Sequence, residues 1–299
     1  MRVVDPVGYG IIGAGSAIAR RAVIPAIEAS ELSFVAATAS RSGGTGSYED
    51  VIAHPEVEAV YIPLGNGQHR EWTEAVALAG KHVLCEKPLA PTAVDALAMA
   101  SACEKAGVLL AEAWMSPFGR RWSEAMTRAA RGDIGEVREV RSRFCGNLRS
   151  DPARDHRWDP AQGGGALLDL GIYVLGPAVT LWGPEPEVIE ASQQRSEGGV
   201  DVVTDYLIAW PGGRRAIGHA SIVEPPEQEL ELGGTDGSIL LTDHAFTGQP
   251  DDNPYVPMID AMARDVRGLE PWPRPAAEAV ALLELLERIT AAAAAHEHP

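Results

Sequence analysis

Short apolar runs alternate with stretches of helical periodicity along the first third of the chain. Strands are predicted at residues 7–12, 32–39, 57–63, 82–85 and 108–114, and helices at residues 17–29, 71–79 and 92–105. Pro25 lies inside the first of these helices and should bend it. Gly80 and Gly107 follow the other two, as is common at helix C-termini. Strand–helix–strand alternation of this kind predicts a parallel, doubly wound sheet.

The pattern changes after Met115. A helix is predicted at residues 118–131, an alternating strand at 136–145, and a helix preceded by three glycines at 163–182. Strand-like runs follow between residues 187 and 243, and two of them, 202–210 and 214–222, flank a Pro-Gly-Gly turn as a hairpin. Helices at 258–267 and 276–295 complete the chain. Strands without intervening helices predict a largely antiparallel sheet.

The predicted fold class is therefore α/β with two domains. A Rossmann-type doubly wound domain spans residues 1–116, and an α+β domain with an open, largely antiparallel sheet spans residues 117–299. The last helix belongs to the second domain in this prediction, and its packing back on the first domain is left open. A length of 299 residues suits two domains, and 45% apolar and 22% charged residues are ordinary globular values that exclude a disordered chain.

Charge and cysteine content narrow the class of function. Lys and Arg number 25 against 42 Asp and Glu, so the net charge of −17 argues against a nucleic-acid partner. No apolar run is long enough to cross a bilayer, and residues 1–7 do not form a signal peptide. Cys85, Cys103 and Cys145 are widely spaced, so they predict neither a metal site nor a disulfide framework. We expect a cytoplasmic protein whose partner is a small molecule.

A glycine turn follows the first predicted strand and opens the first helix, which is the context that a dinucleotide fingerprint requires. Gly13 permits the tight turn, and Gly15 lets the backbone approach a pyrophosphate. Ile18 stands where the third glycine is usual, between two alanines. An ordinary glycine-rich turn is the alternative. The cofactor contacts expected from this turn are Gly13, Gly15, Ser16, Ala17 and Ile18.

The end of the second strand bears on the choice of cofactor. A hydroxyl and a guanidinium, Ser40 and Arg41, suit the 2′-phosphate of NADP, whereas an acidic residue would suit NAD. NADP is therefore predicted, with NAD possible, and Arg41 as a solvated loop residue is the alternative. Only six small residues, 42–47, separate Arg41 from Tyr48. We therefore expect the usual helix after the second strand to be missing, which would weaken cofactor binding.

Residues 82–89 deliver a Glu-Lys pair to the carboxyl edge of the predicted sheet, where ligands of open α/β sheets bind. Lys87 there can donate a hydrogen bond to a substrate oxygen and stabilise negative charge as a hydride arrives or leaves. The alternative is a surface ion pair between Glu86 and Lys87, which would contribute little.

Four segments together carry a resemblance to a known family. Residues 10–15 read GIIGAG, residues 61–64 read YIPL, residues 79–88 read AGKHVLCEKP, and residues 163–173 read GGGALLDLGIY. With them the chain resembles the glucose–fructose oxidoreductase, inositol dehydrogenase and rhizopine-catabolism (Gfo/Idh/MocA) family, in the branch of dimeric dihydrodiol and D-xylose dehydrogenases. The resemblance implies NAD(P)-dependent hydride transfer to or from a carbinol or carbonyl carbon of a sugar-like or cyclic diol substrate. It also implies a homodimer or higher homo-oligomer through the C-terminal sheet.

The resemblance also implies roles for individual residues. Lys87 is the substrate-binding catalytic lysine, Tyr173 stands at the acid–base position, and Asp169 matches an acidic position. A spacing of four puts Asp169 and Tyr173 on one helix face. A phenol acts near neutral pH only where a cation lowers its pKa, which Lys87 could do if the two domains close on one pocket. The implied cofactor contacts are Pro63, Leu64, Asn66, His69 as a positioning residue, Glu86, Lys87 and Arg157.

Two other interpretations stay open. Ser116, Pro117 and Gly119 stand where the family usually has Tyr, Arg and His, so the substrate of a relative cannot be carried over. A non-catalytic nucleotide-binding or scaffold protein with a degenerate cofactor site would explain this change together with the short segment after Arg41. An enzyme that retains its cofactor and recycles it between two substrates is the other interpretation.

Overall fold

The computed structural model describes residues 5–40, 43–44, 46–148, 155–249 and 252–296. Backbone contacts divide the chain into two units, Met1–Met115 with Asn253–Val280, and Ser116–Asp252 with Ala281–Pro299. The first division falls one residue before the predicted boundary. The segment Asn253–Val280 belongs to the first unit, which a single boundary did not anticipate. Among the described residues, no helix combines the length and the apolar character needed to span a membrane.

The first unit is built on a sheet with the strand order β3-β2-β1-β4-β5-β6. Five strands are parallel, and the short β3 adds antiparallel to β2. β1 and β4 are buried along their whole length, as expected for parallel strands covered on both faces. The predicted doubly wound sheet is confirmed. Its strands are β1 (Val7–Ile12), β2 (Ser33–Ser40), β3 (Gly43–Gly44), β4 (Ala59–Ile62), β5 (His82–Glu86) and β6 (Leu110–Ala113).

Apart from the helix after the second strand, the described helices of the first unit lie close to their predicted positions. Pro25 is the second residue of an α-helix that begins directly after a π-helical stretch, Ala19–Val23, so the predicted helix is disturbed next to the proline. Gly107 ends another helix in the left-handed conformation. The α-helices are α1 (Ile24–Ala29), α2 (Tyr48–Ala53), α3 (His69–Leu78), α4 (Ala93–Ala106) and α7 (Tyr255–Val266), and α8 (Ala276–His296) begins here and continues into the second unit.

A helix does follow the second strand, so the prediction that it is missing is wrong. α2 is six residues long and begins at a capping box. The Ser47 hydroxyl accepts from the Asp50 backbone N–H at 3.1 Å, and the Asp50 carboxylate accepts from the Ser47 N–H at 2.9 Å. Val51 and Ile52 bury the inner face. Gly43 and Gly44 form the short β3, and the cap at Ser47 lets a helix begin at Tyr48.

The second unit contains a six-stranded sheet with the order β12-β11-β7-β10-β9-β8. β7 and β10 pair in parallel, and the other neighbours are antiparallel, which confirms the predicted open sheet. The predicted hairpin joins β9 to β10. Helix α6 packs on β7, β9 and β10. The elements are α5 (Arg120–Ala130), β7 (Val137–Asn147), α6 (Ala166–Trp182), β8 (Val188–Arg195), β9 (Asp201–Trp210), β10 (Arg214–Ser221), β11 (Val223–Gly234) and β12 (Ser238–Thr242).

Candidate active site

The glycine turn after β1 is fixed to both neighbouring strands. Gly13 has a φ of +98°, and a Cβ there would lie 2.7 Å from Leu64 Cδ2, in the loop after β4. The backbone N–H groups of Gly13 and Ala14 both donate to the Ala39 carbonyl, at 2.8 and 3.0 Å. Only glycine tolerates both this backbone conformation and this close approach.

The residues around this turn fit a dinucleotide. Gly15 and Ala17 are exposed, Ile18 is half-buried, and the Ser16 hydroxyl accepts from the Ala19 N–H at 3.2 Å, which caps the helical stretch. Ser40 follows the carbonyl that anchors the turn. An exposed turn at a helix start beside the end of the second strand suits a pyrophosphate and its ribose. Arg41 lies outside the described residues, so its contact with a 2′-phosphate stays a prediction.

His69 joins the loop after β4 to the turn after β5. Its ring is fully buried, with Nε2 3.1 Å from the Leu64 carbonyl oxygen. Nδ1 lies 3.1 Å from the Pro88 oxygen and 3.2 Å from the Leu89 oxygen. These contacts support the predicted positioning role, because they fix the turn that begins with Lys87. Asn66, in the same loop, is also buried.

Glu86 and Lys87 lie at the carboxyl edge of the sheet, where β5 ends. The Glu86 carboxylate accepts from the Tyr61 hydroxyl at 2.6 Å and from the Lys87 backbone N–H at 3.2 Å. Burial raises the pKa of Glu86, and the Tyr61 hydroxyl and the Lys87 charge oppose that rise. The peptide bond from Lys87 to Pro88 is cis. Tyr61 pairs with Leu84 on the neighbouring strand, and Glu86 follows Leu84 by two residues. Side chains two residues apart lie on the same face of a strand, so the alternation of the two strands could have indicated this contact.

Glu112, which the sequence analysis missed, also holds the turn after β5. Its side chain is buried and accepts from the Leu89 backbone N–H at 3.0 Å. Arg274 lies 3.6 Å from the other carboxylate oxygen, and its guanidinium sits 4.1 Å from the centre of the Trp114 ring. Burial raises the pKa of Glu112 and lowers the pKa of Arg274. No spacing in the sequence indicates this pair, because Arg274 comes from the distant segment of the first unit.

In the second unit, Arg157 and Asp169 form an ion pair. Arg157 Nε donates to the buried Asp169 carboxylate at 2.8 Å, and its Nη1 donates to Asp155 at 3.1 Å. Asp169, more than any other neighbour, raises the pKa of Arg157. Tyr173 lies one turn along α6 and is buried, with its ring centre 5.0 Å from that of Phe144.

Two of the glycines before α6, Gly164 and Gly165, lie against the turn that contains Arg157. The Gly165 N–H donates to the Arg157 carbonyl at 2.9 Å, and a Cβ on Gly164 would overlap that same carbonyl. Gly165 has a φ of +122°, and a Cβ there would overlap the Asp201 carboxylate. That carboxylate accepts from the Leu167 N–H at 2.7 Å and so caps α6. The glycines therefore hold the Arg157 turn against the start of the helix.

The predicted site residues thus form two groups, one in each unit. The first links the glycine turn, the loop after β4 and the turn after β5. The second is the pair Arg157–Asp169 with Tyr173 on the same helix. Whether Lys87 and Tyr173 serve one reaction stays a prediction.

Comparison with known proteins identifies the family. Residues 7–113 match the model of an oxidoreductase family with an NAD-binding Rossmann fold. Residues 122–240 match the GFO/IDH/MocA C-terminal domain. The chain belongs to the Gfo/Idh/MocA oxidoreductase family. The first unit of this family member is therefore an NAD-binding Rossmann domain, as the resemblance implied.

Named relatives of this Gfo/Idh/MocA protein are dehydrogenases and reductases. D-xylose 1-dehydrogenase (NADP(+)) 2 from Haloferax volcanii is 35% identical over 81% of this chain and 77% of its own length. Trans-1,2-dihydrobenzene-1,2-diol dehydrogenase from Bos taurus is 34% identical over 68% of this chain and 60% of its own length. The solved structure of a point mutant of KijD10, a 3-ketoreductase from Actinomadura kijaniata, in complex with TDP-benzene and NADP, superposes with a TM-score of 0.87. It is 25% identical and covers 96% of this chain and 98% of its own.

Proposed function

We propose that the protein transfers a hydride between the nicotinamide C4 of NADP(H) and a carbinol or carbonyl carbon of a sugar-like or cyclic diol substrate. The observation that carries this proposal is the location of Lys87. It follows β5 directly, at the carboxyl edge of an NAD-binding Rossmann sheet, in a turn held by His69 and Glu112. The named relatives, which act on a pentose and on a cyclic diol, support the substrate class.

Three side chains of the protein have separate roles in this proposed reaction. Lys87 binds and polarises the reacting oxygen, and its charge stabilises the negative charge that develops there. Tyr173 relays the proton to or from that oxygen. Asp169, which pairs with Arg157, orients Lys87 or Tyr173 or binds a neighbouring substrate hydroxyl. When bound, the nicotinamide supplies the hydride chemistry, and the protein supplies position and charge.

NADP is proposed as the cofactor, with NAD as the second choice. Ser40 ends β2 beside the glycine turn, and no carboxylate stands at that position to bind a 2′-hydroxyl. The xylose dehydrogenase and KijD10 comparisons, both named with NADP, support this choice. Gly13, Gly15, Ser16, Ala17 and Ile18 would hold the pyrophosphate side, with Pro63, Leu64 and Asn66 on the nicotinamide side.

We also propose a homodimer through the outer face of the second unit's sheet and a cytoplasmic location. Leu207 and Leu240 are exposed on that sheet, at 37% and 55%. Arg side chains on β7 pair with Glu side chains on the adjacent strand β11, so this face carries charges of both signs. The same face of a second copy can complement them. Three free, buried thiols suit a reducing compartment.

A substrate panel tests the proposed reaction. Purified protein is assayed with aldoses, polyols and cyclic diols in the presence of NADP or NAD, with nicotinamide absorbance as the readout. Lys87→Ala should lose turnover by at least about a hundredfold and keep NADPH binding, since its loss removes charge stabilisation of the reacting oxygen. Lys105→Ala, an exposed lysine near the end of α4, is the matched control and should keep full activity.

Two results would contradict the proposal. Undiminished turnover in Lys87→Ala would remove the lysine from the reaction. NADPH binding by fluorescence titration, with no turnover of any panel member, would favour the non-catalytic nucleotide-binding protein instead.

A further inference from the structure

We propose that Cys145, His219 and Glu224 form a binding site for Zn²⁺ on the outer face of the second unit's sheet. The three residues come from β7, β10 and β11. One possible ligand atom from each lies within 4.8 Å of the other two. Cysteine sulfur, histidine nitrogen and carboxylate oxygen are the donor types that zinc takes in proteins. Neither the family match nor the proposed reaction assigns a role to these side chains.

Strand register brings Cys145 and His219 to the same face. β7 and β10 are parallel, with Arg143 opposite His219 and Cys145 opposite Ser221. Side chains two residues apart share a face, so Cys145 and His219 both point outward. Phe144, between Arg143 and Cys145, points to the other face, where its ring packs on Tyr173. Cys145 is nevertheless buried, and its Sγ lies 3.5 Å from Glu224 Oε2.

A β-bulge delivers the third ligand. Val223 pairs with Asn147 and Glu227 with Cys145, so four steps along β11 match two along β7. Pro225 and Pro226 lie within this irregularity and cannot donate to the ladder. The bulge turns Glu224 toward Cys145 and His219. Bulges that aim a side chain in this way are common beside functional sites.

The interatomic distances are close to those of a tetrahedral zinc site. Zinc bond lengths and tetrahedral angles require about 3.5 Å between a sulfur and an oxygen ligand and about 3.4 Å between a nitrogen and an oxygen ligand. Cys145 Sγ lies 3.5 Å from Glu224 Oε2, and His219 Nε2 lies 3.0 Å from the same oxygen. The third distance, between a possible ligand atom of Cys145 and one of His219, is at most 4.8 Å. Small side-chain rotations would therefore bring all three ligands to one ion.

The second ring nitrogen of His219 has the contact expected of a zinc ligand. Asp205 Oδ1 lies 2.7 Å from Nδ1, opposite the nitrogen that faces Glu224. Histidines that bind zinc commonly donate their other N–H to a carboxylate, which fixes the tautomer and the ring orientation. His219 is thus already oriented with Nε2 toward the site.

The local charge also suits a divalent cation. Glu224 Oε2 accepts from Arg143 Nη2 at 2.6 Å, and Arg143 Nε donates to Glu227 at 2.5 Å. The three carboxylates of Glu224, Glu227 and Asp205 exceed the one guanidinium of Arg143 by two negative charges. Binding forms zinc bonds to sulfur, nitrogen and oxygen and releases the thiol proton to solvent, without any change of oxidation state. Arg143 keeps Glu227 as its partner.

Metal content tests this site on the whole protein. After dialysis against EDTA and then buffered Zn²⁺, the protein should hold one zinc per chain. Co²⁺ in its place should give a thiolate-to-cobalt charge-transfer band in the near ultraviolet. Cys145→Ser should lose that band and the bound zinc. Asp205→Asn should weaken zinc binding by about 10–100-fold, because only the orientation of His219 is disturbed.

Matched variants keep the test decisive. Cys103→Ser removes another buried thiol, in α4, and should keep both zinc and the cobalt band. Glu224→Gln preserves the size of the side chain and removes the charge of the ligand. It replaces Cys145→Ser in the test if circular dichroism shows that Cys145→Ser does not fold. Zinc content equal in wild type, Cys145→Ser and Glu224→Gln would overturn the proposal, as would a wild type that binds none. The cluster would then be an ion-pair network only.

Discussion

The Glu86 carboxylate is held on two sides, by the Tyr61 hydroxyl and by the Lys87 backbone N–H. Both donors come from residues at the carboxyl edge of the sheet. A buried carboxylate that loses a donor is costly, so these two bonds fix the end of β5. Lys87 therefore follows a strand end that is fixed by hydrogen bonds, as its proposed role of positioning a reacting oxygen requires.

Tyr61→Phe tests this support. Without the hydroxyl, the pKa of Glu86 should rise further, because Tyr61 now opposes the effect of burial. We expect a loss of about 1–3 kcal/mol in the free energy of unfolding, since a buried acceptor is left unsatisfied. Urea denaturation measures the loss, and the acid limb of the pH profile of kcat/KM should move to higher pH.

Tyr206→Phe is the control for this substitution. Among the described residues, the buried Tyr206 hydroxyl has no hydrogen-bond partner, so its removal should be neutral or stabilising. If both variants lost the same stability, the Tyr61–Glu86 bond would contribute nothing of its own. An acid limb unchanged in Tyr61→Phe would separate Glu86 from the ionisation that governs activity.

At the scale of elements, helix α6 has a glycine at each end with the same unusual backbone. Gly165 has φ +122° and ψ 156°, and Gly183 has φ +82° and ψ 174°, a region almost reserved for glycine. A Cβ on Gly165 would overlap the Asp201 carboxylate, whereas one on Gly183 would meet nothing within 4 Å. Alanine substitutions at Gly165 and Gly183 therefore distinguish the cost of backbone strain from the cost of steric overlap.

Gly165→Ala should therefore be more destabilising than Gly183→Ala. Backbone strain should cost each variant about 1–3 kcal/mol. Displacement of Asp201 from its capping contact should add about 1 kcal/mol or more to Gly165→Ala alone. Thermal unfolding of both variants measures the difference. Equal losses would mean that Asp201 moves aside at no cost and does not secure the start of α6.

The pair Glu58–Arg267 gives the first unit a pH-dependent contact. Arg267 Nη1 lies 2.7 Å from Glu58 Oε2, and Arg267 Nη2 lies 2.7 Å from Glu58 Oε1. Arg267 Nε donates to the Asp5 carbonyl. The Arg267 contact holds the pKa of Glu58 below its usual value. A depressed carboxyl pKa stabilises the fold above the ordinary pKa, and that stabilisation is lost as the pH falls through the folded-state pKa.

Glu58→Gln should remove this dependence. The stability difference from wild type should be at most about 1 kcal/mol at neutral pH, because the carboxylate is partly exposed, and should shrink below about pH 4.5. Urea denaturation at several pH values measures it. Glu74→Gln is the control, because Glu74 is as exposed as Glu58 and pairs with a more exposed arginine. A pH-independent difference for Glu58→Gln would contradict the linkage.

Much of the fold at this scale was predictable. Apolar runs located β1, β4 and β5 because parallel strands are buried on both faces. The helix after β2 was predictable as well, because Ser47 and Asp50 have the spacing of a capping box. The contact of Glu112 with Arg274 was not predictable, since no local rule links a strand end to a segment that returns late in the chain.

At the scale of the whole molecule, Cys145 also lies far along the chain from His219 and Glu224, so no local rule links the three proposed zinc ligands. Sequence rules for metal sites rely on ligands a few residues apart. Cys145, His219 and Glu224 meet only because the chain passes from β10 to β11 across the end of β7, where the Leu148 N–H donates to the Ile222 carbonyl. Strand register therefore carries information that spacing does not.

We expect two copies of the chain to associate through the outer face of the second unit's sheet. Leu207 lies on the outer face of β9, two residues from Asp205, and is 37% exposed. Leu207→Asp would put an unpaired charge into the proposed interface and should convert a dimer into a 31.7 kDa monomer in sedimentation velocity. Leu78→Asp, at a 90% exposed leucine of the first unit, should leave the dimer intact. Because the proposed zinc ligands share the outer face, each variant is measured with EDTA and with Zn²⁺. A wild type that sediments as a monomer in both conditions would rule out the interface, and a dimer that survives Leu207→Asp would move it to another surface.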